Sequence, residues 1–301
     1  MPLWLLIVIA AHLLNAVAFL IDKFLLSRAV PKPAVYAFFV GILGAITFVL
    51  LPLDFAFPAT VSLALLDLAA GVTFVLALLC FFSALQRGEA SRIVPYIGGT
   101  IPVWTLIFAY LTLGERLAAR ELIAFAVLVL GSALIAREGS GVSASRGHAY
   151  AIASFAAVLF ALSTVLMKAI FLSQAFIPGF VWSRAGAVLA ALMILLHAPS
   201  RFTILAPQRR PRGNLLALFI GGQVTGAVGF LTLQYAVNLA SPTLVNALQG
   251  VQYAFLFVFV LFLGRTFPQL RERLTRAIVI QKVAAIVVIA VGLAMLAKSS
   301  S

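Results

Sequence analysis

The chain has 301 residues, of which 64% are hydrophobic and 10% charged, against roughly 25% charged in a soluble domain. That balance excludes a soluble fold, and the single cysteine, Cys80, excludes disulfides and cysteine-ligated metal sites within the monomer. The net charge of +13 falls in short clusters between apolar runs, not on a basic face with interleaved aromatics, so no nucleic-acid partner is expected.

Crossing a bilayer takes about 20 apolar residues in a helix. Runs of that kind are expected at 3–27, 34–52, 63–86, 91–113, 118–136, 149–172, 176–197, 214–238, 241–264 and 275–297. The first has no basic residue before it and no small-residue cleavage site after a short apolar core, and is read as a retained helix. Asn15 and His12 within it are polar candidates for a cavity or for hydrogen-bonded packing. His12, His148 and His197 fall in separate segments without metal-ligand spacing, so no metal and no cofactor are expected.

Lys23 and Lys168 stand about a turn from the ends of their spans. There a long side chain either snorkels to the interface or serves as a gating or coupling group. Asp22 neutralises Lys23; Asp67 and Glu89 are read as lying near helix ends, and Glu89 and Arg92 as turn residues.

The fourth span contains "PYIGGTIPVW" (95–104). Pro95 belongs to the first turn, where a missing N–H costs nothing. Pro102 is well inside; it withholds a hydrogen bond from the carbonyl of Gly98 and is expected to kink the helix. Pro95, Gly98, Gly99 and Pro102 share one face nearly bare of side chains. Trp104 follows as either a cavity aromatic or a packing residue.

In the seventh span Arg184 has apolar residues on both sides. A charge at bilayer centre costs about 2.5–3.5 kcal/mol on insertion scales, which makes such a residue a functional candidate. Arginine binds carboxylate or phosphate bidentately. The eighth span offers Gln223, Thr225, Gln234, Tyr235 and Asn238, and its Gly222 and Gly226 are read as permitting close helix packing. In the ninth, Asn246, Gln249 and Tyr253 recur at i, i+3 and i+7 with Gln252 beside them. Such a stripe either glues helices or lines a wet cavity, and three amides with a phenol on one helix favour the cavity.

Placing residue n over n+150 aligns 71–91 with 221–241 without a gap. It matches Gly71 with Gly221, Ser91 with Ser241, Leu106 with Leu256 and "LG" at 113–114 with "LG" at 263–264. The chain is therefore expected to be an all-α integral membrane protein of ten transmembrane helices in two five-helix repeats: 1–138, a Gly/Ser-rich linker at 139–147, and 148–301. An odd number of spans inverts the second repeat, and inverted repeats place a substrate site near the midplane between the halves. In this register Gly99 lies over Gln249 and Pro102 over Gln252, so the bare face of the fourth span is expected to join the amide stripe of the ninth in one central site.

Lys23 and Lys168, the arginine in "WSRAG" (182–186), the proline in "TIPVW" (100–104) and "LGERL" (113–117), with ten spans in two repeats, resemble the drug/metabolite transporter superfamily, in its EamA-like branch. The second half departs from the pattern, with "GRTFPQLRERL" (264–274) in place of a second "GER" and Gln252 in place of the proline. The resemblance implies a transporter and leaves the substrate open.

The expected activity is secondary transport of a small polar or amphipathic metabolite by alternating access, with Arg184 favouring amino acids or anionic metabolites. Flipping of a lipid-linked or phospholipid substrate is the alternative. No HExxH, GxSxG or paired intramembrane aspartates point to an enzyme, and no Walker motif to ATP coupling. Arginines concentrate in alternate connections, which the positive-inside rule assigns to the cytoplasm, leaving both termini outside it in an inner-membrane protein. The expected partners are a small-molecule substrate and the lipid bilayer, with the chain a monomer or homodimer.

Overall fold

In hydrocarbon every backbone N–H and C=O must be satisfied within the protein, and a helix does this inside one segment. The computed structural model describes residues 1–26, 33–87, 90–136, 147–206, 213–263 and 275–299, and every regular element among them is helical. In chain order they are α1 (Leu3–Leu26), α2 (Pro33–Leu43) continuing into a 3-10 helix (Gly44–Leu53), α3 (Val61–Arg87), α4 (Ala90–Leu113), α5 (Ala119–Ala136), α6 (Gly147–Ser173), α7 (Phe176–Ile194), α8 (Ala198–Leu205), α9 (Asn214–Leu239), α10 (Pro242–Ala247), α11 (Gln249–Leu263) and α12 (Arg276–Ser299).

Among the described residues eight stretches are long and apolar enough to cross a membrane: 3–21, 33–53, 61–87, 96–113, 147–173, 176–194, 242–263 and 276–298. The chain is thus a multi-pass membrane protein. The two remaining expected spans coincide with the long helices α5 and α9.

Two elements differ from expectation. The run 34–52 is not one α-helix: α geometry stops at Leu43, and Gly44, the β-branched Ile46, Thr47 and Val49, and Pro52 follow as a 3-10 helix. The run 241–264 is interrupted at Leu248, whose φ of −78° and ψ of 3° leave helical geometry. There the bonds Leu248 N–H to Val245 C=O (3.3 Å) and Val251 N–H to Leu248 C=O (2.9 Å) span three residues instead of four. The fourth expected span forms α4, with Pro102 inside it.

The helices sort into two compact units, each drawing on both halves of the sequence. One comprises 31–115 and 141–207. In it α3 packs on α2, α6 and α7, α4 packs on α6, and α2 and the 3-10 helix pack on α7. Alanines 149, 153, 156 and 157 of α6 recur at helical spacing and are fully or almost fully buried against Ala84, Ile93 and Ile97. Small side chains let these helices approach closely where lipid supplies no hydrophobic drive. The approach is tightest between α3 and α7: a Cβ on Gly71 would overlap the carbonyl oxygen of Ser183, and one on Gly186 the carbonyl oxygen of Leu68.

The other unit comprises 1–30, 116–140 and 208–301. Here α1 packs on α9 and α11, and α5 on α11 and α12. Gly222, Gly226 and Gly229 of α9 face Ile21, Ala18 and Asn15 of α1, so the glycine pattern of the eighth expected span is a packing face. Gln281 on α12 donates from Nε2 to the carbonyl of Leu134 on α5 at 2.9 Å.

Candidate functional site

The sequence-derived candidates divide between the two units. In the unit built on α1, α10 opens with a local signal: the Ser241 hydroxyl accepts from the N–H of Leu244 at 3.1 Å, with Pro242 at the first helical position. Six residues later the helix ends. An interrupted helix leaves carbonyls at the end of one piece and N–H groups at the start of the next without intrahelical partners.

Polar side chains gather around this break. Gln249, the first residue of α11, donates from Nε2 to Oε1 of Gln252 at 3.0 Å. His12 of α1 lies beside Gln252, 1% exposed, with neither ring nitrogen in hydrogen-bonding geometry. Asn246 is buried in α10, while Tyr253 and Gln223 are half-buried. Asn15 directs its Oδ1 at Gly229, whose missing Cβ leaves the space it fills. Gly250 sits against Ser132 of α5 and Ile289 of α12 where a Cβ would overlap the serine hydroxyl. The break corrects the stripe argument: helical spacing holds from Gln249 to Tyr253 within α11, but Asn246 belongs to a different helix.

In the other unit Arg184 is 5% exposed. Its guanidinium lies 4.8 Å from the ring centroid of Phe74 and 5.4 Å from that of Phe180. Gly44, where α2 passes into the 3-10 helix, approaches the stem of Arg184. Stacking uses the guanidinium faces, whereas its N–H edge is the part that pairs with carboxylates. Trp182, two residues before, donates from Nε1 to the carbonyl of Ala56 at 2.9 Å and meets the ring of Phe57 at 5.4 Å, tying 54–60 onto α7.

On α4, Gly98 and Pro102 are buried, and a Cβ on Gly99 would meet nothing within 4 Å. Trp104 stacks on Phe108 at 5.9 Å and joins the hydrophobic core of α3, α4 and α6. Lys168 is half-buried on α6, within electrostatic reach of Glu115. The side chains of Lys23 and Pro95, and most of the connecting arginines that carried the orientation argument, lie outside the described residues.

One polar feature escaped the sequence reading. Lys282 of α12 is 8% exposed, with its ammonium 5.3 Å from the ring centroid of Phe257. A lone lysine in an apolar run is the signal that marked it. Asp67, expected near a helix end, lies in the second turn of α3, 1% exposed, and accepts a 2.7 Å hydrogen bond from Gln174.

The described residues thus form an all-helical, multi-pass membrane protein with a helix broken at Leu248 beside a pair of amides. Residues 2–137 match the EamA-like transporter family, so the first part of the chain is similar to that family. Solved structures of 29 chains match it. One, titled only "Crystal structure of protein", is similar over 97% of this chain and 96% of its own at 18% identity and a TM-score of 0.69, a likeness of fold. No curated protein matches the chain in sequence.

Proposed function

We propose that the protein is a secondary transporter that moves a small polar or amphipathic metabolite across the membrane by alternating access. The observation that carries this reading is the interruption of the ninth span at Leu248 beside the Gln249–Gln252 pair and buried His12. Non-helical backbone at membrane depth is tolerated where it is buried in protein or lines a cavity, and broken helices are where such transporters bind substrate. The broken helix offers backbone groups, and the amides add donors and acceptors of both kinds.

Ten spans in two inverted repeats, divided near 139–147, are part of this proposal. Helix packing supports it: α1 lies on α9 and α11 in one unit, while α6 lies on α3 and α4 in the other. That is the pattern expected if the first helix of each repeat packs on the third and fourth helices of its mate. The bare face of α4, with Gly98, Gly99 and Pro102, is proposed as the counterpart of the α11 amides.

Arg184 directs the choice of substrate towards a carboxylate or phosphate, as in amino acids or related anionic metabolites, and Lys23 and Lys168 act in gating or coupling. The protein is placed in the inner membrane as a monomer or homodimer with both termini extracytoplasmic. Uptake of radiolabelled amino acids and dicarboxylates into liposomes containing the purified protein tests the reading. Saturable uptake of at least one carboxylate is expected, and no uptake above protein-free liposomes for any of them would refute it.

A further inference from the structure

The transporter reading leaves Asp67 without a role. Its Oδ1 accepts from Gln174 at 2.7 Å, and among the described residues its Oδ2 has no hydrogen-bond partner. An ionised carboxylate offers about four lone-pair sites, and burying that charge with one neutral donor is costly. Among the described residues no three His, Cys, Asp or Glu side chains gather into a shell for a metal ion. A proton needs no such shell.

We propose that Asp67 is a proton-binding site, occupied in this arrangement of the unit, with Gln174 as its latch. Gln174 belongs to the corner between α6 and α7, half-buried, with its neighbour Ala175 exposed. Swinging the amide away bares the acid to water at that corner. Asp67 then releases its proton to water and becomes a carboxylate, and the reverse movement takes a proton up.

The charged and titratable groups on the helices packed against α3 do not replace the proton. Arg184 of α7 lies over Phe74, about two turns or 10 Å further along α3. Lys168 of α6 is within reach of Glu115. The ring of Tyr36 of α2 meets Phe82, and that of Tyr96 of α4 meets Tyr150 of α6 edge to face, both towards the other end of α3, near which His148 lies at the start of α6. Tyr110 of α4 is exposed.

In a transporter this proton would be the coupling ion, a role that rests on the reading above; the occupancy of Asp67 does not. Infrared spectra of the purified protein in lipid at neutral pH, in H2O and D2O, test it. The wild type should show a protonated-carboxyl C=O band that shifts down in D2O and is lost in Asp67→Asn. In Gln174→Ala the same band should fade, because without its latch the acid opens to water and releases its proton. A wild-type spectrum without that band, or a band unchanged in Asp67→Asn, overturns the proposal. Should Asp67→Asn fail to fold, Gln174→Ala decides: a weakened or lost band supports the site and an unchanged one overturns it. The spectra are taken on idle protein, so a failure of transport leaves them unaffected.

Discussion

Gln249 donates to Gln252 across 3.0 Å, immediately after the helix interruption at Leu248. The bond holds two amides side by side at the start of α11 and leaves each with further donor and acceptor capacity, since an amide has two N–H groups and two carbonyl lone pairs. Side-chain hydrogen bonds between helices in membranes average about 0.6 kcal/mol. Gln252→Ala should therefore lower stability by no more than about 1 kcal/mol while strongly reducing uptake. Thermal unfolding in detergent beside liposome uptake checks this, and normal uptake by the variant would remove Gln252 from the site.

Arg184 separates charge from shape. Stacking of its guanidinium over Phe74 and Phe180 is worth about 0.5–2 kcal/mol. Arg184→Ala should lose that and abolish uptake of carboxylates. Arg184→Lys keeps the charge without the planar fork, so its uptake should be intermediate. Uptake rates of the two variants on the same substrate settle the order.

Two glycines of one unit should respond in opposite ways. A Cβ at Gly71 would overlap backbone atoms of α7, which cannot swing aside, so Gly71→Ala should destabilise by about 1–3 kcal/mol or more. At Gly99 a Cβ meets nothing within 4 Å, and Gly99→Ala should stabilise α4 by roughly 0.5–1 kcal/mol through helix propensity. Melting temperatures of the two variants provide the comparison. Reduced uptake by the stable Gly99→Ala protein would mark the bare face of α4 as substrate-facing.

Ser241 caps α10 through its bond to the N–H of Leu244, and Ser241→Ala should cost about 0.5–2 kcal/mol. Because α10 is only six residues long, loss of its cap should speed amide exchange at 244–247 more than within α11. Hydrogen–deuterium exchange of the intact protein reads this directly.

Much of the fold is legible in the sequence because span length is set by bilayer thickness, a constraint that apolar runs display openly. The helices α1, α3, α4, α6 and α12 fall where hydropathy puts them. The break at Leu248 leaves no hydropathy signal, since Leu248 is apolar and its neighbours look helical. Only Ser241–Pro242, an N-cap followed by proline, hints that a separate short helix begins there. Asp67 looked peripheral because its partner Gln174 is 107 positions away, and contacts of that range are not written in local pattern. The glycines were read more faithfully, because Gly222 and Gly226 carry their own packing period.

The central claim, that substrate binds at the broken ninth span, is tested most directly by ligand-induced thermal stabilisation. A ligand held only by the native state adds about 2.7 kcal/mol at one hundred times its dissociation constant. Wild type and the Gln249→Ala/Gln252→Ala double variant should be melted against a panel of amino acids and anionic metabolites. The account predicts that at least one carboxylate raises the melting temperature of the wild type and fails to raise that of the folded double variant. An equal rise in both proteins would place the substrate elsewhere and contradict it.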